Sequence, residues 1–239
     1  AEARAERFAL ADSLVYGFDL AALMYGFSRL QSTAGILLAM AGAVALIAFY
    51  RIETSVASPV MNMALFRDNV VFALSNFAAL INYSATFASG FLLSLYLQYI
   101  KAMTPESAGI VLVAQPVVMA LLSPLAGSLS DHIEPRIVAS IGMAFTTIGL
   151  ASFIFVDTGT PLGFIVAGLV VLGLGFALFS SPNTNAVMSS VESRHYGVAS
   201  GTLGTMRLTG QMFSMGIAML IFALVMGRVP ITPEHYGQY

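Results

Sequence analysis

Residues 127–136, "GSLSDHIEPR", gather Asp131, His132, Glu134 and Arg136 within six positions. Asp, Glu, Lys and Arg together make up only 9% of the 239-residue chain. On either side run almost wholly apolar stretches of about twenty residues, the length a helix needs to cross a bilayer. A charged turn between two such runs reads as the link between two membrane-crossing helices. Only helices or closed barrels satisfy backbone polar groups in lipid, and these runs are too long for barrel strands. The expected fold class is therefore all-α, a polytopic membrane protein.

Working outward from this turn, the same measure gives about seven spans, roughly 8–28, 34–50, 70–100, 108–128, 137–156, 162–185 and 198–227. The breaks between them are short and carry most of the charge. Composition agrees: 58% of the residues are hydrophobic, against about 45–50% apolar in soluble domains. So few charges could not cover a soluble surface. A net charge of −2 without a basic stripe gives nucleic acid no footing. With no Cys there are no disulfides, thiol catalysis or Cys-ligated metal, and the three His, at 132, 195 and 235, have no metal-site spacing. Neither HExxH nor GxSxG occurs, so no enzyme chemistry and no cofactor is expected.

A cytoplasmic N-terminus puts Arg4, Arg7, Arg51, Arg67, Arg136 and Arg194 inside. Arg29, Lys101 and Arg228 then fall outside, and Arg207 lies within a span. This satisfies the positive-inside rule and makes 127–136 a cytoplasmic turn. Gly127 lets helices approach closely. Asp131 is placed ahead of the next span, where it can face that helix's positive end, and Pro135 suits the first helical turn. Arg136 can meet an acid or a lipid phosphate. Such a turn is either a gate, whose charge contacts change between states, or a solvated loop with ordinary caps. Between the second and third spans, Met61, Met63, Leu65 and Phe66 either lie on the membrane surface or belong to a plain connecting loop.

The turn is similar to the cytoplasmic loop of the major facilitator superfamily, with Gly127, Leu129, Asp131 and Arg136 matching. His132 replaces the usual basic residue, and Glu134 stands where Gly is usual. A second stretch, 173–218, "GLGFALFSSPNTNAVMSSVESRHYGVASGTLGTMRLTGQMFSMGIA", resembles the late helices of the fourteen-helix drug:proton antiporters, the EmrB/QacA group. Gly173, Gly175, Pro182, Asn183, Gly197, Ser200, Gly201, Arg207 and Gly210 carry that likeness, and "MNMALFRDNVVF" resembles the group's lead into its C-terminal bundle. The resemblance implies a partial major facilitator fold. Residues 1–50 would be the two helices linking the halves, 51–69 a cytoplasmic amphipathic connector, and 70–239 a C-terminal bundle without its last helix. The N-terminal half of the same transporter would be the principal partner. The implied activity is proton-coupled efflux of small hydrophobic or cationic compounds through a multi-pass protein of the cell membrane.

Candidate site residues follow from polar groups inside apolar runs. Asn76, Tyr83, Gly90, Ser94 and Gln98 share one face of the third span by their spacing. They line a cavity or bond neighbouring helices. Gln115 beside Pro116, and Asn183 after Pro182, are similar candidates, because proline frees carbonyls at a cavity. Arg207, well inside the last span, either marks function or snorkels to the interface. Asp19, in the first span, is a candidate to titrate.

Overall fold

The structure, a computed structural model, describes residues 17–19, 21–23, 25–26, 32–53 and 63–225. All regular elements among them are helical: α1 (Thr33–Glu53), α2 (Met63–Asp68), α3 (Val70–Leu95), α4 (Pro105–Leu112), α5 (Ala114–His132), α6 (Pro135–Ser152), α7 (Leu162–Ser189) and α8 (Tyr196–Val225). Four segments are long and apolar enough to cross a membrane, Val70–Ile100, Pro105–His132, Pro135–Phe155 and Leu162–Ser189. The 21-residue α1 and the 30-residue α8 add two more of the expected spans as helices. Most of the first expected span, 8–28, and residues 54–62 of the 51–69 connector lie outside the described residues. Where the first span is described it is helical at 17–19, 21–23 and 25–26. It meets α1 closely: a Cβ on Gly42 would lie 2.6 Å from the Leu23 backbone nitrogen.

Local chemistry sets the helix ends. Asn69 caps α3 by accepting from the Phe72 N–H at 2.9 Å, and its own amide donates 2.5 Å to the Ser190 carbonyl at the end of α7. One side chain thus ties the start of α3 to the finish of α7. In "TPES", Thr104 is the N-cap of α4 and Pro105 occupies the first turn. Pro116 has no N–H to give the carbonyl four residues back, and that residue, Leu112, is where α4 stops. Part of the connector is helical. Leu65 and Phe66 sit in α2 and pack on the bundle core, with the Phe66 ring 5.0 Å from Phe72, edge to face.

Helix α7 is the centre of the bundle. Ile165, Leu169, Leu172, Phe176, Ala177, Phe179 and Val187 are all buried along it. Glycines let its neighbours come to backbone contact, as expected where no water drives helices together in lipid. A Cβ on Gly142 of α6 would lie 2.6 Å from the Phe179 nitrogen, and one on Gly173 of α7 2.6 Å from the Gln115 carbonyl of α5. On the other flank α3 meets α8, where a Cβ on Gly210 would lie 2.6 Å from the Leu80 carbonyl.

At the Lys101 end, α3 passes into a π-helical turn, Tyr96–Ile100, a form often found at functional positions. The Tyr96 hydroxyl donates 2.7 Å to the Asp157 carbonyl, and Lys101 Nζ donates 2.8 Å to that of Thr158. The Asp157 carboxylate accepts from the Thr160 hydroxyl and the Gly159 N–H. The Thr160 hydrogen bond is the main cause that holds its pKa below the ordinary carboxylate value. Those bonds are therefore complete at neutral pH and weaken only as pH falls through that lowered pKa. Ala102 follows with φ of 53°, a left-handed backbone. Ala102→Gly is expected to stabilise the protein by up to about 1 kcal/mol, read as a rise in the thermal aggregation temperature of a detergent-solubilised fusion.

Candidate functional site

The polar residues singled out by spacing divide into groups. Ser94 and Gln98 satisfy each other: the Gln98 amide donates 2.9 Å to Ser94 Oγ. Gly90 has no heavy atom within 4 Å of where a Cβ would stand. Gln115 is half-buried near the start of α5, and its carbonyl is the group that approaches Gly173. Asn76 and Tyr83 turn inward, to the junction of α3, α7 and α8. Asp19 lies on helical residues, half-buried.

That junction holds the costly groups. Phe72 and Ala79 of α3, Phe179 and Val187 of α7, and Ala199 and Leu203 of α8 form its apolar lining. Asn76 sits between Phe72 and Ala79 on α3, fully buried. Its Nδ2 donates 2.9 Å to the Phe72 carbonyl, and its Oδ1 has no partner. On α7, Asn183 is 4% exposed, and its Nδ2 has no partner among the described residues. On α8, Arg207 lies one turn beyond Leu203. Its Nη2 donates 2.7 Å to Thr184 Oγ1, and its guanidinium carbon stands 5.8 Å from the Tyr83 ring centre, within cation–π range. The Tyr83 ring in turn meets Phe176 edge to face at 5.7 Å. Among the described residues, Arg207 Nε is buried without a partner.

No carboxylate neutralises this cation among the described residues. Between 70 and 225 the acids are Glu106, Asp131, Glu134, Asp157 and Glu192, all at helix ends or in turns. A charge within a membrane span costs a few kcal/mol on insertion scales. Unpaired buried amides add further cost, roughly 1–3 kcal/mol each. The junction is a polar locus maintained against the stability of its own bundle. Thr184 and Phe176 belong with it and were not picked out by spacing. Thr184 adjoins Asn183 in "SPNTN", and that adjacency was the signal available.

The charged turn is more compact than its sequence suggests. Helix α5 continues through His132, whose Nδ1 lies 3.0 Å from the Ser128 carbonyl, and only Ile133 and Glu134 separate it from α6. Asp131 therefore sits in the last turn of α5, not ahead of α6. Glu134 is the N-cap residue of α6, without a side-chain cap bond. This corrects the expected contact of Asp131 with the start of α6. Arg136 pairs with Glu134, both exposed. Gly127 faces α7, where Ser181 Oγ would be 3.1 Å from an added Cβ. Nearby, Asn185 Nδ2 donates to Ser130 Oγ, which donates to the Gly127 carbonyl. Asp131 has no hydrogen-bond or ion-pair partner among the described residues. An ionised carboxylate is unfavourable at a helix C-terminus.

A cavity of about 430 Å³ opens away from this junction, between α3, α6 and α8, lined by Leu92, Tyr96, Tyr99, Leu150, Phe153 and Phe222. It supplies apolar shape; the unpaired donors are all elsewhere.

Residues 75–231 match the sequence model of the Major Facilitator Superfamily. The chain belongs to this superfamily. The major facilitator assignment makes it a multi-pass membrane protein of a transporter family. Its relatives include the riboflavin transporter RibZ of Clostridioides difficile, 32% identical over 74% of the chain and 39% of RibZ. The multidrug resistance protein Stp of Mycobacterium tuberculosis is 28% identical over 91% of the chain and 41% of Stp. The methyl viologen resistance protein SmvA of Salmonella typhimurium is 24% identical over 79% of the chain and 37% of SmvA. The chain spans less than half the length of these major facilitator relatives.

Proposed function

We propose that the chain is part of a proton-coupled multidrug efflux antiporter of the fourteen-helix EmrB/QacA-like group, working by alternating access in the cell membrane. The observation that carries the reading is the Arg207 junction. An apolar bundle keeps unpaired donors and an unneutralised cation at depth, as a substrate passage between two halves requires. The resistance functions in the names of Stp and SmvA support efflux as the direction. In this reading Asn76, Tyr83 and Asn183 line the passage. Gly90, Ser94, Gln98 and Gln115 extend it toward either end. The described spans from 70 onward contain no acid away from their ends, so in this reading the proton-carrying acid lies elsewhere in the transporter; Asp19, in the first expected span, is a candidate.

The turn at 127–136 is the gate. Asp131, unpaired at the unfavourable end of α5, gains a partner from the other half in one state and loses it in the other. Gly127 keeps α5 close to α7, and Arg136 stays tethered to Glu134.

The test uses the full-length transporter in energised inside-out vesicles. Ethidium and other hydrophobic cations are expected to dissipate the pH gradient. Asp131→Asn should slow that dissipation about tenfold, within the range of coupling energies between conformational states. A well-folded transporter that leaves the gradient intact with a broad drug panel would overturn the antiport reading. A second reading, transport of another small solute, draws on the name of RibZ. Gradient-independent uptake of riboflavin by the same vesicles would favour it.

A further inference from the structure

The donors around Arg207 say more about the ligand than that it is small. Arg207 Nη2 is committed to Thr184 Oγ1, and one face of the guanidinium lies over Tyr83. Its Nε is left without an acceptor, and so is Asn183 Nδ2, on the residue preceding Thr184. Both unpaired groups are donors, and one belongs to a guanidinium. Arg207 as a residue is only half-buried, while its Nε and Asn183 Nδ2 are enclosed, so a ligand meets these two donors when the passage opens. Beside it, Tyr83 and Phe176 stand edge to face at 5.7 Å and form an aromatic wall. A cation placed here would meet a like charge in a poorly solvated site. A carboxylate would find a planar fork of matching geometry.

We propose that the Arg207 junction binds a planar aromatic carboxylate, with the acid on Arg207 and Asn183 and the ring against Tyr83 and Phe176. The proposal rests on the export reading and deepens it: aromatic acids are one substrate class of this half, held at Arg207, and cations such as ethidium bind away from that residue.

Equilibrium dialysis on the purified full-length transporter tests this with two probes of one shape, 2-naphthoate and the uncharged 2-naphthamide. The wild type should bind the acid roughly 10- to 100-fold more tightly than the amide, the range of a charge-assisted hydrogen bond at a sheltered site. Arg207→Gln should erase the difference, and Arg207→Lys should restore part of it, as a point charge without the fork. Tyr83→Leu should weaken acid and amide alike. Equal binding of the two probes by the wild type would overturn the proposal, and so would binding of neither. An acid-to-amide ratio unchanged in Arg207→Gln would overturn it too. If Arg207→Gln does not fold, the Lys variant decides: a ratio as large as the wild type's would refute a role for the fork. Failure of the export reading shows separately, as ethidium leaving the vesicle pH gradient intact while naphthoate still binds.

Discussion

Gly175→Leu is expected to leave little folded protein in the membrane, measured as the monodisperse fraction of a fluorescent fusion after detergent extraction. A Cβ at Gly175 would lie 2.6 Å from the Thr146 nitrogen and 2.9 Å from the Gly142 carbonyl. A Cβ at Gly142 would in turn lie 2.8 Å from the Gly175 carbonyl. The two glycines bring the backbones of α6 and α7 together, and backbone cannot rotate away as a side chain can. Overpacking costs about 1–3 kcal/mol where side chains can yield, and here the whole α6–α7 contact must open. Dispersion at that contact is what holds the helices in lipid. Gly204→Ala is the control, because no heavy atom lies within 4 Å of a Cβ there. A Gly175→Leu protein as monodisperse as that control would show that α6 and α7 do not meet as described.

Gly210→Val is expected to permit insertion but to lower export at least about tenfold, equivalent to some 1.4 kcal/mol or more at the transport barrier. A Cβ at Gly210 would approach the Leu80 carbonyl to 2.6 Å, Tyr83 Cβ to 3.0 Å and the Ser84 nitrogen to 3.1 Å. Valine therefore pushes α8 away from α3 beside Tyr83. One turn further along, Ser214 Oγ accepts from the Ala88 N–H at 2.9 Å, and that bond stretches as well. Tyr83 and Arg207 sit on the two helices being parted, so the junction loses its geometry before the bundle loses its core. Vesicle export and fusion expression, measured together, check this. Export at the wild-type rate would mean that the α3–α8 contact does not set the site.

Much of this architecture was legible because the bilayer imposes it. The runs 70–100, 137–156 and 162–185 fall within a few residues of Val70–Ile100, Pro135–Phe155 and Leu162–Ser189. The end at 128 was misplaced by four residues, since hydropathy marks where apolarity stops, not where a helix stops. Asp131 and His132 are polar yet helical, and Pro135 is the residue that forces the new helix. The buried charge at Arg207 was also legible, because an arginine inside an apolar run is conspicuous in one dimension. Its partners were not. Thr184 lies 23 residues away on another helix, and the register that joins them comes from glycine contacts such as Gly210 on Leu80. The pairing of Asn69 with Ser190, 121 residues apart, was hidden for the same reason. The stripe from Asn76 to Gln98 does not act as one unit. Ser94 and Gln98 bond each other, whereas Asn76 and Tyr83 meet other helices.

The most direct measurement is accessibility at Thr184, the residue that receives Arg207. This chain contains no cysteine, so Thr184→Cys, in a full-length transporter with any other cysteines replaced, reports that position alone. The native threonine is close in size to cysteine and only half-buried. A membrane-impermeant maleimide should modify the introduced thiol from one side of the membrane at a time, and reversing the pH gradient or adding ethidium should shift which side reacts. Labelling from neither side under any condition, or labelling that ignores both gradient and drug, would contradict an alternating passage through this junction.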